Sequence, residues 1–147
     1  MYLDKNIEEL KSGLSEEHLN MNIILKQFNC TKNGHVNSGS LIFDDGQIYM
    51  LVKGADSSLK WSRFTKLKHE GIRGLEKLIQ DEFLLVESLE PKNSTAQNML
   101  IWESGLKGKK HRVIQPALAF ASLAPVFRKI EDTINLFMVR LSELHEK

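Results

Sequence analysis

One nucleophile stands within local reach of a base in this chain: Cys30, with His35 five residues on. A thiol becomes a working nucleophile when a neighbouring base takes its proton and a third group orients that base. No orienting acid follows from the spacing, so the pair reads as an ordinary thiol beside a surface histidine. The five histidines (His18, His35, His69, His111 and His145) stand singly, without the i, i+3 or i, i+4 pairing that builds a metal site on a helix. Asp44-Asp45 has the chemistry of a hard-cation ligand pair, but Gly46 directly after it reads both as turn residues. The stretch from Gly105 to Lys110 holds glycines and lysines without P-loop spacing or a hydroxyl residue after the lysine. No catalytic residue, metal or cofactor is expected from these patterns.

Cations are the next chemistry the chain offers. The formal net charge is only +1, but its distribution is uneven. Residues 1–22 hold five acids against two lysines, residues 60–77 six basic residues against Glu70 and Glu76, and residues 107–112 four basic residues and no acid. Lys60, Arg63 and Lys66, interleaved with Trp61 and Phe64, and Lys107, Lys109, Lys110, His111 and Arg112 make two candidate anion-binding segments. Brought together by the fold, they would suit a nucleic-acid backbone, a phosphorylated ligand or an acidic protein face. Trp61 would then be placed to stack on a base. Solvated lysines in two loops, with a core tryptophan, are the alternative.

Elements that would position these groups follow from periodicity. Leu3, Ile7, Leu10 and Leu14 share a helical stripe, and Ser15 before Glu16-Glu17 caps a second helix running to about Phe28. Thr31 to Ser40, rich in Asn, Gly and Ser, reads as a loop. Leu41-Ile42-Phe43, then Asp44-Asp45-Gly46, then Gln47 to Val52 reads as a β-hairpin with Gly46 at positive φ. A basic stretch leads into a short helix, about Ile72 to Gln80, with Leu75, Leu78 and Ile79 inward. Strands are expected at Phe83–Leu89, Met99–Trp102 and Arg112–Gln115. From Phe120 to Leu144 apolar residues keep a three-four alternation, interrupted by Pro125, which predicts a kink or a new helix begun by that proline. That stripe suits a helix lying on a sheet. It also suits a homodimer contact, for which Phe137, Met138, Leu141 and Leu144 are the candidate interface residues.

At 147 residues, 41% apolar and 27% charged, the chain reads as one α+β domain, 1–147. The expected fold is a small, mainly antiparallel sheet with a hairpin, covered by N-terminal and C-terminal helices. One cysteine permits no internal disulfide. The longest uncharged run, Val113 to Phe127, has 15 residues, fewer than the ~20 of a membrane span. Met1-Tyr2-Leu3-Asp4-Lys5 does not open a secretory signal, and the expected compartment is the cytoplasm.

The runs Gly39 to Tyr49 and Gly71 to Leu78, with Glu82-Phe83 after them, resemble the core of the PatA N-terminal (PATAN) family. That core has a strand beginning at glycine, a turn ending in glycine, a second strand, a helix, and a strand opening with Phe. The resemblance extends over about Ser15 to Pro91, with the helix Ser15–Phe28 preceding the core. Gly74-Leu75 departs from the small residue the family places there, and the link from Gly54 to Glu70 is long and basic. The resemblance implies a non-catalytic interaction domain of bacterial signalling systems and supplies no catalytic residue. Two functions therefore stand at this level: a protein-interaction or adaptor module, and a binder of nucleic acid or phosphorylated ligands through segments 60–77 and 107–112. Enzymatic activity ranks third.

Overall fold

Ile23-Ile24-Leu25-Lys26-Gln27-Phe28-Asn29-Cys30-Thr31 opens on three apolar residues and then alternates apolar Phe28 and Cys30 with polar Asn29 and Thr31, a pattern a strand can bury. A computed structural model, which describes residues 22–31, 33–86, 98–106, 110–116 and 125–139, places this run as strand β1, Ile23–Thr31. The helix expected to reach Phe28 is therefore corrected over Ile23 to Phe28: Ile24 and Phe28 are buried, but on opposite sides of a sheet. The helix expected over residues 3–14, and the start of the second one, lie outside the described residues.

The remaining strands are β2 (Val36–Phe43), β3 (Gln47–Lys53), β4 (Leu59–Lys66), β5 (Asn98–Ser104) and β6 (His111–Pro116). Helix α1 spans His69–Asp81 and α2 spans Pro125–Phe137. The strands form one six-stranded sheet in the order β4-β3-β2-β1-β5-β6, with every neighbouring pair antiparallel. The α+β class thus holds, and no helix among the described residues is long and apolar enough to cross a membrane.

Two corrections come from strands whose sequences hide their alternation. Val36 to Ser40, expected as loop, is the first half of β2. Gly39 is required there because it sits opposite Phe28, whose ring lies across it; a Cβ at Gly39 would meet Phe28 Cδ1 at 2.7 Å. The basic stretch around Trp61 is β4, an edge strand, and charged side chains are what such edges carry. A third correction concerns Phe83: Phe83–Leu85 is a short 3-10 turn continuing from α1, not a strand. Over the described residues 23–28 and 83–86 these positions also differ from the helix before the core and the strand opening with Phe that the family resemblance implies.

The hairpin β2–β3 forms where expected, with Leu41 opposite Tyr49 and Ile42 opposite Ile48. Gly46 has φ +89 and its N–H donates to the Phe43 carbonyl at 2.9 Å. Only Gly46 in this turn has positive φ, so the loop is the three-residue form that ends on a left-handed glycine.

Each face of the sheet has its own buried cluster. On one face Ile24, Ile42, Ile48, Trp102 and Val113 join Ile72, Leu75 and Ile79 of α1 and Val126, Phe127 and Ile130 of α2. The α1 residues recur at spacings of three and four, as one helical stripe must. Pro125 opens α2, where its fixed φ and missing N–H cost nothing. On the other face Phe28, Cys30, Leu41, Phe43, Tyr49, Leu51, Trp61 and Ile101 pack together, with no residue of α1 or α2 among them. Strand β4 serves both clusters through a bulge. Tyr49 pairs with Arg63 and Ile48 with Thr65, which leaves Phe64 without an opposite residue. Because side chains alternate with period two, this extra residue sends Trp61 to one face and lets Leu67, past the strand's end, reach the other.

Candidate functional site

The two basic segments lie at opposite edges of the sheet. Lys60, Arg63 and Lys66 are on β4, while Lys110, His111 and Arg112 flank or belong to β6, five strand spacings away, about 24 Å across a flat sheet. Among the described residues the two segments therefore do not meet in one electropositive surface. Lys107 and Lys109 lie outside the described residues. At the β6 edge the cations are tied to Glu103, whose side chain is 6% exposed. Arg112 Nε donates to Glu103 Oε2 at 2.6 Å, and Lys26 and Lys110 approach Oε1 at 3.8 Å each. Lys26, Glu103 and Arg112 stand opposite one another across β1, β5 and β6, so this is a cross-strand ion row. His111 is structural as well: its Nε2 lies 2.8 Å from the Val86 carbonyl, and its ring meets Phe83 edge-on at 5.3 Å. Glu103→Gln should cost about 1–2 kcal/mol by urea denaturation. The value falls below that for a fully buried pair because Arg112 and Lys110 still reach water.

Cys30 is not a loop thiol. It lies in β1 with no exposed surface, and burial pushes its pKa up to about 11, against a smaller lowering by Arg112. His35 is exposed, and its backbone N–H donates to Thr31 Oγ1 at 3.1 Å. A buried, protonated thiol is a core residue and not a nucleophile. Among the described residues no group of three or more His, Cys, Asp or Glu is placed to hold a metal. Asp45 does turn work instead, its Oδ1 accepting the Gln47 N–H at 3.0 Å.

The C-terminal stripe ends sooner than its alternation suggests. Phe127 and Ile130 are buried and Ile134 and Phe137 partly so, whereas Leu136 is 74% exposed. After Phe137 the chain leaves the helix and Met138 bridges to Leu67. Lys68 N–H donates to the Phe137 carbonyl and Val139 N–H to the Lys66 carbonyl, each at 2.9 Å. Phe137 also sits over Gly71, where a Cβ would meet its own Cβ at 2.5 Å. Phe137 and Met138, expected at a homodimer contact, thus make contacts within the chain. Leu141 and Leu144 lie outside the described residues.

Trp61 is 4% exposed and packs edge-on against Phe28 at 6.1 Å, so it offers no face for a base. What β4 and β3 do present outward is different. Met50 is 40% exposed, Val52 47% and Phe64 51%. Met50 lies opposite Ser62 and Val52 opposite Lys60, so the apolar pair and its polar partners share one face of the hairpin. They share it with Ile48, but beyond the part that packs with α1 and α2. Between residues 47 and 68 the hairpin carries Lys53, Lys60, Arg63, Lys66 and Lys68 against the single acid Asp56. Asp56 is already engaged: its Oδ1 accepts the Ser58 hydroxyl at 2.6 Å and the Ser58 N–H at 3.1 Å, which holds its carboxyl below the usual pKa. Arg63 Nε donates to Gln47 Oε1 at 2.6 Å. Among the described residues Lys53, Lys60, Arg63 and Lys66 make no ion pair. Met50 and Val52 were not legible as surface residues, because their segment reads simply as an apolar strand. The one signal was position: they alternate with Tyr49 and Leu51 towards the end of a hairpin.

A second polar feature lies on the helix-bearing face of β1, β5 and β6. Asn29 Oδ1, Trp102 Nε1 and Gln115 Oε1 are buried without a hydrogen-bond partner. Asn29 and Gln115 both stand opposite Leu100, with Trp102 two residues along the same strand. No known family model matches the chain, and neither does any curated protein or any solved structure.

Proposed function

We propose that this chain is a protein-interaction module and that its partner docks on the outward surface of the β3–β4 hairpin. The observation that carries this reading is the exposure of Met50 and Val52 on one face of β3, with Phe64 exposed on neighbouring β4. These are three of the five exposed large apolar side chains among the described residues, and they lie on two neighbouring strands. Scattered exposed apolar residues are ordinary on a protein surface; three on one hairpin, two of them adjoining on one face beside Lys60, have the composition of a binding patch. The two other residues of the five, Leu85 and Leu136, belong to other elements.

Phosphate binding has less behind it. The cationic segments are separated and Trp61 is core, which leaves exposed Phe64 as the one aromatic of residues 60–77 that a base could reach. Comparison of the wild type with Val52→Asp/Phe64→Asp tests the reading. Both positions are exposed, so the double variant should keep the wild-type circular dichroism spectrum. It should lose a protein captured by the wild type from its native lysate, in nuclease-treated and untreated samples alike. Leu136→Asp, at an equally exposed site on α2, should retain that protein. Retention by the double variant would overturn the hairpin as the docking surface.

A further inference from the structure

We infer that the helix-bearing face of β1, β2, β5 and β6 holds a binding site for a small neutral polyhydroxyl molecule, a sugar or polyol. The inference uses no residue of β3 or β4 and stands apart from the docking reading. Gln115 and Trp102 are 4% and 5% exposed, and Gln115 Oε1, Trp102 Nε1 and Asn29 Oδ1 are buried without a hydrogen-bond partner. The strand register brings the three together. Asn29 and Gln115 stand on either side of Leu100, two strand spacings or about 10 Å apart. Trp102 lies opposite Gln27 and Val113, which makes both amides its diagonal neighbours, about 7–8 Å away across the strands. The indole N–H is a donor and nothing else, and it reaches neither amide. Leaving a buried polar atom unpaired is unfavourable, so three on one patch of sheet call for a group that bridges them.

The surroundings select the chemistry of that group. Lys26, Glu103 and Arg112 lie on the other face of the sheet, and no Asp, Glu, Lys or Arg among the described residues of β1, β2, β5 and β6 shares this one. A charged ligand would be buried here without a counter-charge, which is costly, so the ligand is neutral. A hydroxyl accepts from the indole N–H and donates its own proton to an amide oxygen. It serves equally well when either amide is turned to present its NH2. A peptide group suits the site less, because its N–H and C=O point in opposite directions across a planar unit and cannot both turn to one cluster. Towards β2 the face continues with the same chemistry: Gln27 lies opposite Trp102 and Ser40, and Ser38 lies opposite Asn29. Burial falls in that direction, from Gln115 through half-buried Asn29, Gln27 and Ser40 to exposed Ser38, which gives the ligand an entrance over β2.

Proton–nitrogen correlation spectra of the isotope-labelled full chain test the inference. The Trp102 indole N–H is the reporter, and that of Trp61, on the other face, is the control. The probes are glycerol, glucose, maltose and myo-inositol, with gluconate as the charged counterpart and acetyl-triglycine amide as the peptide. At least one neutral polyol should move the Trp102 signal saturably and leave Trp61 in place, and gluconate should move neither. Gln115→Met keeps the length of the side chain without its amide, so it should fold as the wild type does and lose the response. Gln27→Ala, at a half-buried site, should weaken binding about fivefold, the worth of one hydrogen bond. A Trp102 signal that none of the neutral polyols moves would overturn the site and leave internal water as the partner of these atoms. Gluconate binding as tightly as glucose would overturn the neutral ligand, and a response to the peptide alone would overturn the polyhydroxyl class. A response kept at full strength in both variants would overturn the placement.

Discussion

Phe127→Ala should lower stability by about 3–5 kcal/mol, the range for emptying a buried phenylalanine site. Phe127 is 1% exposed and holds three elements at once. Its ring lies 4.8 Å from Trp102 of β5 at a 30° tilt, and 6.1 Å from Phe83, at the end of α1, at 78°. Removing the ring therefore loosens α2 against the sheet and against the 3-10 turn together, leaving Val126 and Ile130 to hold it. The neighbours cannot close the gap cheaply, because Trp102 is fixed by its strand and Phe83 by its contact with His111. A domain of this size has about 5–15 kcal/mol in total, so this single change removes a large share of it. Urea denaturation followed by tryptophan fluorescence would show the midpoint falling while the slope stays unchanged. Leu136→Ala, nine residues further on the same helix but 74% exposed, should stay within about 0.5 kcal/mol. A loss below 1 kcal/mol for Phe127→Ala would mean that α2 does not depend on this ring.

The stripes that the sequence displayed best were helical. Ile72, Leu75 and Ile79 on α1, and Phe127 and Ile130 on α2, repeat at three and four because each helix buries one side only. The β2–β3 hairpin was legible for a different reason, the Asp-Gly turn between two apolar runs. Strand β1 was hidden by its position at the sheet's centre. Both its faces are buried, so the run from Ile23 to Phe28 shows no period of two and passes for helix. The first half of β2 was hidden by composition, since Asn37-Ser38-Gly39-Ser40 is what a loop contains unless Phe28 is known to lie across Gly39. In β4 the bulge at Phe64 breaks the alternation halfway along the strand.

The candidate site was half legible for related reasons. Lys60, Arg63 and Phe64 stood out as cations interleaved with an aromatic residue, and they do reach the surface. Trp61 stood out with them and does not, because the strand turns it inward onto Phe28. Nothing local distinguishes an outward Phe64 from an inward Trp61; the pleat and the bulge decide it. The separation of the two basic segments is a property of strand order, set by β5 returning beside β1 after α1. Strand order is non-local, and no spacing within either segment encodes it.

Gly46→Val should cost about 3 kcal/mol, more than the ~1 kcal/mol that the turn alone would imply. Two separate penalties add here. With φ at +89, Gly46 occupies backbone space that an L residue enters at a cost of roughly 1–2 kcal/mol, and a β-branched side chain suffers most. A Cβ built on Gly46 would also lie 2.8 Å from the Leu67 carbonyl oxygen and 2.9 Å from Ile72 Cδ1. The isoleucine end can turn away, but the carbonyl is backbone at the start of the link into α1. That link is anchored on the same glycine, since Leu67 N–H donates to the Gly46 carbonyl at 2.8 Å. Relief of the clash must therefore move the turn away from Leu67, which weakens this bond and shifts the root of the β3–β4 hairpin. Gly46→Asn separates the two penalties: asparagine accepts positive φ but keeps the Cβ contact, so its loss should be about half that of valine. Urea midpoints of the two variants decide the matter. Equal midpoints for wild type and Gly46→Val would show that neither the conformation nor the close approach constrains this turn.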